Sequence, residues 1–101
     1  MNRKHEQLVR VLETARDFLQ RPDNDFSWSS WGDGATAVRE IDQLLGSILA
    51  GELPNRADIG VLFAPTGPIQ EVSVSSGWGD EFLDLANRYD SAANRSYGWR
   101  R

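Results

Sequence analysis

A chain of 101 residues with no cysteine and one histidine supports one domain with a single core. It leaves no place for disulfides, thiolate metal sites or cysteine nucleophiles, which fits a reducing compartment. The net charge of −4 is unevenly spread: residues 1–21 hold five Arg/Lys against three acids, residues 22–90 three against twelve, and residues 91–101 three against none. An acidic body between basic ends is a poor binder of phosphate backbones, so nucleic acid is not the expected partner.

The acids read first as a solvating surface and, more sharply, as a field that steers a basic protein partner. No apolar run approaches the ~18 residues of a membrane span, and no signal-peptide apolar region follows Met1-Asn2-Arg3-Lys4. We therefore expect a soluble cytoplasmic protein with no membrane partner.

Residues 3–21 predict a helix. Leu8, Val11, Leu12, Ala15, Phe18 and Leu19 recur at helical spacing and form one apolar stripe. Pro22 ends it, since its ring disfavours α geometry at Arg21. Residues 22–33 have loop composition yet contain Phe26, Trp28 and Trp31. Such aromatics either plug a gap between helices or stand exposed as a binding patch, and plugging is preferred because large exposed apolar patches are uncommon.

Residues 34–50 predict the second helix, with Val38, Ile41, Leu44, Leu45, Ile48 and Leu49 as its stripe. Ser30 or Asp33 is placed to cap it, and Gly51 to end it. It should pair with the first helix as an antiparallel hairpin. Residues 53–63 suit a short helix that Pro65 closes.

Residues 64–77 are ambiguous. Ile69 and Val72 fit a helical turn with Thr66 as cap, whereas Val72 and Val74 alternate with serines as a strand would. A lone strand has no partner here, so we expect a short helical or irregular segment. The last helix should begin behind Ser76 as cap, with Asp80 and Glu81 in its first turn and Trp78, Phe82, Leu85, Ala86 and Tyr89 on its apolar face. Residues 91–101 have no sustained period and read as a flexible basic tail containing Tyr97 and Trp99. The expected fold is thus a mainly α single-domain bundle over residues 1–90, with three main helices and one or two short ones. Its core would hold Leu8, Leu12, Phe18, Ile41, Leu45, Ile48, Phe63, Phe82 and Ala86, with Trp31 and Trp78 closing the ends.

Motifs for chemistry are sparse. His5 lies where a helix frays and reads as a solvated surface residue rather than a base held against a nucleophile. Asp23-Asn24-Asp25 matches the start of a calcium loop, but Trp28 and Gly34 stand where that loop needs glycine and glutamate. The glycines follow no phosphate-cradling pattern, and Lys4 is the only lysine. No cofactor and no metal is implied. The carboxylates Asp80, Glu81 and Asp84 could do acid–base work only if one of them were buried and shifted.

The runs Leu62-Phe63-Ala64-Pro65-Thr66-Gly67, Gln70-Glu71 and Gly77-Trp78-Gly79-Asp80-Glu81-Phe82 resemble a pattern found in small uncharacterised bacterial proteins. The resemblance covers about a quarter of the chain and brings no activity or site residues with it. By analogy, small acidic bacterial proteins include immunity proteins that neutralise a toxin. The function expected is a protein-interaction module, monomeric or homodimeric, with Phe26, Trp28, Trp31, Trp78 and Asp80 as candidate partner-binding residues. The alternative is a small enzyme using the carboxylates of the last helix.

Overall fold

A computed structural model describes residues 3–98. A 3₁₀ turn, Arg3–His5, leads into α1 (Glu6–Leu19), followed by α2 (Gly34–Leu49), α3 (Arg56–Phe63), α4 (Pro68–Ser76) and α5 (Gly79–Tyr97). The described residues contain no strand. The fold is the expected mainly α bundle of three long and two short helices.

Helix α1 is the centre of the bundle. The carbonyl of Leu19, at its end, lies beside Gly34 at the start of α2, and Arg16 pairs with Asp42 further along α2. The two helices therefore run antiparallel. On its other side, His5 meets Ser96 near the end of α5, while Arg21, just past α1, meets Glu81 near the start of α5. That pair is antiparallel too. A helix with neighbours on two sides buries a wide arc, which is why Val9 joins Leu8, Val11, Leu12, Ala15 and Leu19 in the core. The two short helices pack on α5, and the molecule measures 35 × 27 × 18 Å. Its 18 Å thickness is about two helix diameters, so the bundle has two layers.

Most of the expected core is buried, including Trp31 and Trp78. Phe18 and Ala86 are only partly buried. Phe18 sits at a rim, where the guanidinium of Arg21 covers its ring at 4.4 Å and Trp78 meets it edge-on at 5.2 Å.

One ambiguity is resolved and three expectations need correction. Residues 68–76 are helical, not irregular. Helix α4 buries Ile69, Val72 and Ser73 at i, i+3 and i+4 and turns Val74 to solvent. A serine can occupy the inner face because its hydroxyl donates to the Gln70 carbonyl at 2.8 Å. Thr66 does not cap this helix; Gly67 is the N-cap. Nor does Ser76 cap α5: Trp78 is the N-cap there, and the Ser76 hydroxyl accepts instead from the Asp25 N–H at 2.8 Å.

The third correction is the tail. Helix α5 continues to Tyr97 and buries Ala92, Ala93 and Ser96. Small residues there let α5 lie close to the start of α1, a pattern that hydrophobic periodicity weighs lightly. Tyr97 donates to the Pro54 carbonyl at 2.6 Å, and Arg56 donates to Asn94 at 2.8 Å, so this end is tied to the segment before α3. Burial and the neighbouring Tyr89 push the Tyr97 phenol up to about 12. Trp99 lies outside the described residues.

Backbone crowding sets one glycine requirement. Gly67 donates to the Ala64 carbonyl at 2.9 Å, and a Cβ on it would stand 2.3 Å from the Val61 carbonyl. No flexible side chain can yield there, because the obstacle is backbone. Gly67→Ala should cost about 1–3 kcal/mol in a denaturant melt. Gly32→Ala, where a Cβ meets nothing within 4 Å, should change stability by less than about 0.5 kcal/mol.

Candidate functional site

The loop of residues 20–33 turns α1 into α2 and is pinned at several points. Its pivot is Asn24. The Asn24 amide donates to the Phe18 carbonyl at 2.8 Å, which satisfies an acceptor left over at the end of α1. The Asn24 side-chain oxygen accepts from the Trp78 indole N–H at 2.8 Å. One side chain thus joins α1, the loop and the start of α5.

Local geometry delivers Trp78 to that point. Gly77 adopts φ +85°, which closes α4 and lets the Trp78 N–H reach back to the Ser73 carbonyl at 2.9 Å. Above Trp78, Arg21 donates to both oxygens of Glu81, at 3.1 and 2.7 Å. Its guanidinium also lies over the Phe18 and Trp78 rings.

Further along the loop, Asp25 Oδ1 accepts from the Ser27 N–H and Asp33 Oδ1 from the Thr36 N–H, both at 2.8 Å. Asp33 is thereby the N-cap of α2. Trp31 folds under the loop and its indole N–H donates to Glu40 at 3.0 Å. Hydrogen bonding from Ser27 lowers the Asp25 pKa, hydrogen bonding from Thr36 lowers that of Asp33, and the bond from Arg21 lowers that of Glu81.

The five candidate residues therefore have different positions. Trp31 and Trp78 are 6% and 4% exposed. They support the loop from below and offer no surface to a partner. Phe26 is half-buried, and Trp28 stands 77% exposed. Asp80 is exposed on the first turn of α5, apart from the two hollows that flank Phe26. The structure leaves Phe26 half-buried and Trp28 exposed on one loop and moves the other two aromatics into the core.

One of those hollows is a groove of about 970 Å³ between the end of α1 and the side of α2. Leu19, Phe26 and Val38 give it an apolar floor, and Arg21, Arg39 and Asp42 stand at its edges. The other, about 570 Å³, is lined by Asp25, Ser27, Ser29, Trp31 and Asp33 beside the same Phe26 ring. Gly34 borders both, close to the Leu19 carbonyl and the Phe26 ring, which a Cβ there would meet at 3.3 and 3.4 Å. Sequence reasoning missed Asn24 as the pivot, having read it as turn-forming only, and placed Val38 wholly in the core stripe. A polar residue two positions after a helix-ending proline is a weak signal for the first. No local signal predicts the second, because it depends on how far the loop wedges the helices apart.

The remaining chemistry is structural in placement. Asp80, Glu81 and Asp84 are all exposed, and Glu81 is committed to Arg21. His5 differs from the surface residue expected, because its Nδ1 lies 2.9 Å from the Ser96 hydroxyl. The same hydroxyl also lies 3.3 Å from the Lys4 carbonyl, so it ties the start of the chain to the end of α5. Among the described residues, no group of three or more His, Asp and Glu is placed to hold a metal ion, and no helix is long and apolar enough to cross a membrane. Compared with family models, curated proteins and solved structures, the chain gives no match.

Burial separates the tryptophans experimentally. Trp31→Ala and Trp78→Ala should each cost about 3–5 kcal/mol in a denaturant melt, whereas Trp28→Ala should stay within about 0.5 kcal/mol of the parent. The carboxylates predict the acid limb. Folding holds Asp25, Asp33 and Glu81 below their ordinary values of 3.8, 3.8 and 4.5. Their stabilisation is complete above those values and is lost as the pH falls through the lower folded ones. The melting temperature should hold down to about pH 5 and drop below about pH 4, with a shallower drop in Asp33→Asn, as read by circular dichroism.

Proposed function

We propose that this chain is a small protein-interaction module that binds a partner protein through the loop carrying Phe26 and Trp28 and the groove beside it. The observation that supports the reading is the exposure of Trp28. A tryptophan left 77% in water forgoes the burial that a helical core readily gives, and tryptophan is prominent among residues that dominate binding energy at interfaces.

The loop around it is pre-organised. Asn24, Asp25 and Trp31 fix it by hydrogen bonds to α1, α4 and α2, so a partner would meet a surface that needs little ordering. The groove that Phe26 of the same loop lines supplies an apolar floor. We place the module in the cytoplasm, acting as a monomer or a homodimer. Binding that neutralises or regulates the partner is the form of activity proposed, as in an immunity protein.

The test is affinity capture from the native lysate with the parent and Trp28→Ala side by side, read by mass spectrometry. A protein retained by the parent and lost from the equally stable Trp28→Ala supports the module and its surface. Identical captures from the two would remove Trp28 from the function.

A further inference from the structure

The chemistry of the occupant can be taken further, resting on the reading of this loop as a binding surface. We propose that the surface receives a short basic segment of another protein, with an apolar side chain in the groove against Phe26 and a lysine or arginine in the hollow between Asp25 and Asp33.

Phe26 is the ridge between two hollows of different character. The groove on one side has Leu19 and Val38 on its floor. Two of the three charges at its edges are engaged in ion pairs, Arg21 with Glu81 and Asp42 with Arg16, and the third, Arg39, acts on Asp33 at the start of α2. It therefore favours an apolar side chain over a charged one.

The hollow on the other side is lined by two aspartates and no cation. Residues 22–33 contain Asp23, Asp25 and Asp33 with no lysine or arginine. Hydrogen bonds from the backbone keep the Asp25 and Asp33 carboxylates charged. Aromatic rings stand beside them: Phe26 and Trp31 border the hollow, and the exposed Trp28 lies in sequence between Ser27 and Ser29, which line it. Carboxylates with aromatic faces are the surroundings that a guanidinium or ammonium group prefers.

Length and field agree with this occupant. The groove follows α2 from Gly34 to Gln43, about 14 Å at the helical rise. About four extended residues span that distance. The region from residue 22 to 90 carries twelve acids against three arginines, a field that draws in positive segments and repels acidic ones.

The test selects a phage-displayed library of random peptides on the folded full chain and counter-selects on Trp28→Ala. Peptides that depend on Trp28 should carry net positive charge, with a lysine or arginine close to an apolar residue. Their affinity for the double variant D25N/D33N should fall about tenfold, from loss of two surface charge contacts, and should weaken with added salt. Asparagine keeps both hydrogen-bond acceptors, including the cap of α2, so the double variant should stay folded by circular dichroism, with a melting temperature lowered only by the charge-dependent part of those two bonds. Trp28-dependent peptides that are neutral or acidic, or that bind D25N/D33N at full strength, would overturn the basic occupant and leave the binding surface standing. A library that yields no Trp28-dependent peptide, together with captures that Trp28→Ala leaves unchanged, would remove the surface itself. Self-association of the chain that Trp28→Ala abolishes would assign the surface to a second copy and overturn the proposal.

Discussion

The hydrogen bond from the Trp78 indole to Asn24 is the constraint on which the loop end of this protein depends. A buried indole N–H without a partner is costly, by about 1–3 kcal/mol. Asn24 meets that need only because its amide is held by the Phe18 carbonyl at the end of α1. Moving Trp78 would therefore disturb the exit of α1, the path of the loop and the angle at which α5 starts. The Phe18 edge contact and the Arg21 cover enclose the indole from the other sides. Because the lower part of the loop is anchored in this way, its upper part can hold a tryptophan out in solvent.

Charge is arranged around the same anchor. Arg21 is shared between Glu81 and two aromatic rings, and Arg16 is shared between Asp42 and Gln20. These exposed ion pairs contribute little stability individually. Their larger consequence is to occupy Arg16 and Arg21, while Arg39 on α2 acts on Asp33.

The far end of the bundle is held by other means. Phe63 stacks on Tyr89 with centroids 4.4 Å apart, Tyr97 reaches the Pro54 carbonyl, and Arg56 reaches Asn94. These contacts bind α3 and the segment before it to the C-terminal half of α5. Burial raises the pKa of the Tyr89 phenol, whose hydroxyl makes no hydrogen bond among the described residues. Exchange of a polar contact for ring stacking there is consistent with an end that serves packing rather than chemistry.

The sequence by itself determined the class of the fold, the three long helices, a helix end ahead of Pro22 and the left-handed Gly51 at φ +89°, and it narrowed the cap of α2 to Ser30 or Asp33, of which the structure uses Asp33. Each of these follows from local rules: apolar residues recurring at helical spacing, a ring that forbids α geometry, a side chain that reaches its own backbone. The helical state of residues 68–76 was not legible, because alternating valine and serine fits both periods until Ser73 finds the Gln70 carbonyl. The extension of α5 to Tyr97 was hidden for a related reason: Ala92, Ala93 and Ser96 are too small to announce a buried face. Tertiary structure alone decided which aromatics are core and which is surface. Trp28, Trp31 and Trp78 are alike in type and in their glycine- and serine-rich settings, and only Asn24 and Glu40, brought near by the folded chain, take two of the three indoles inside.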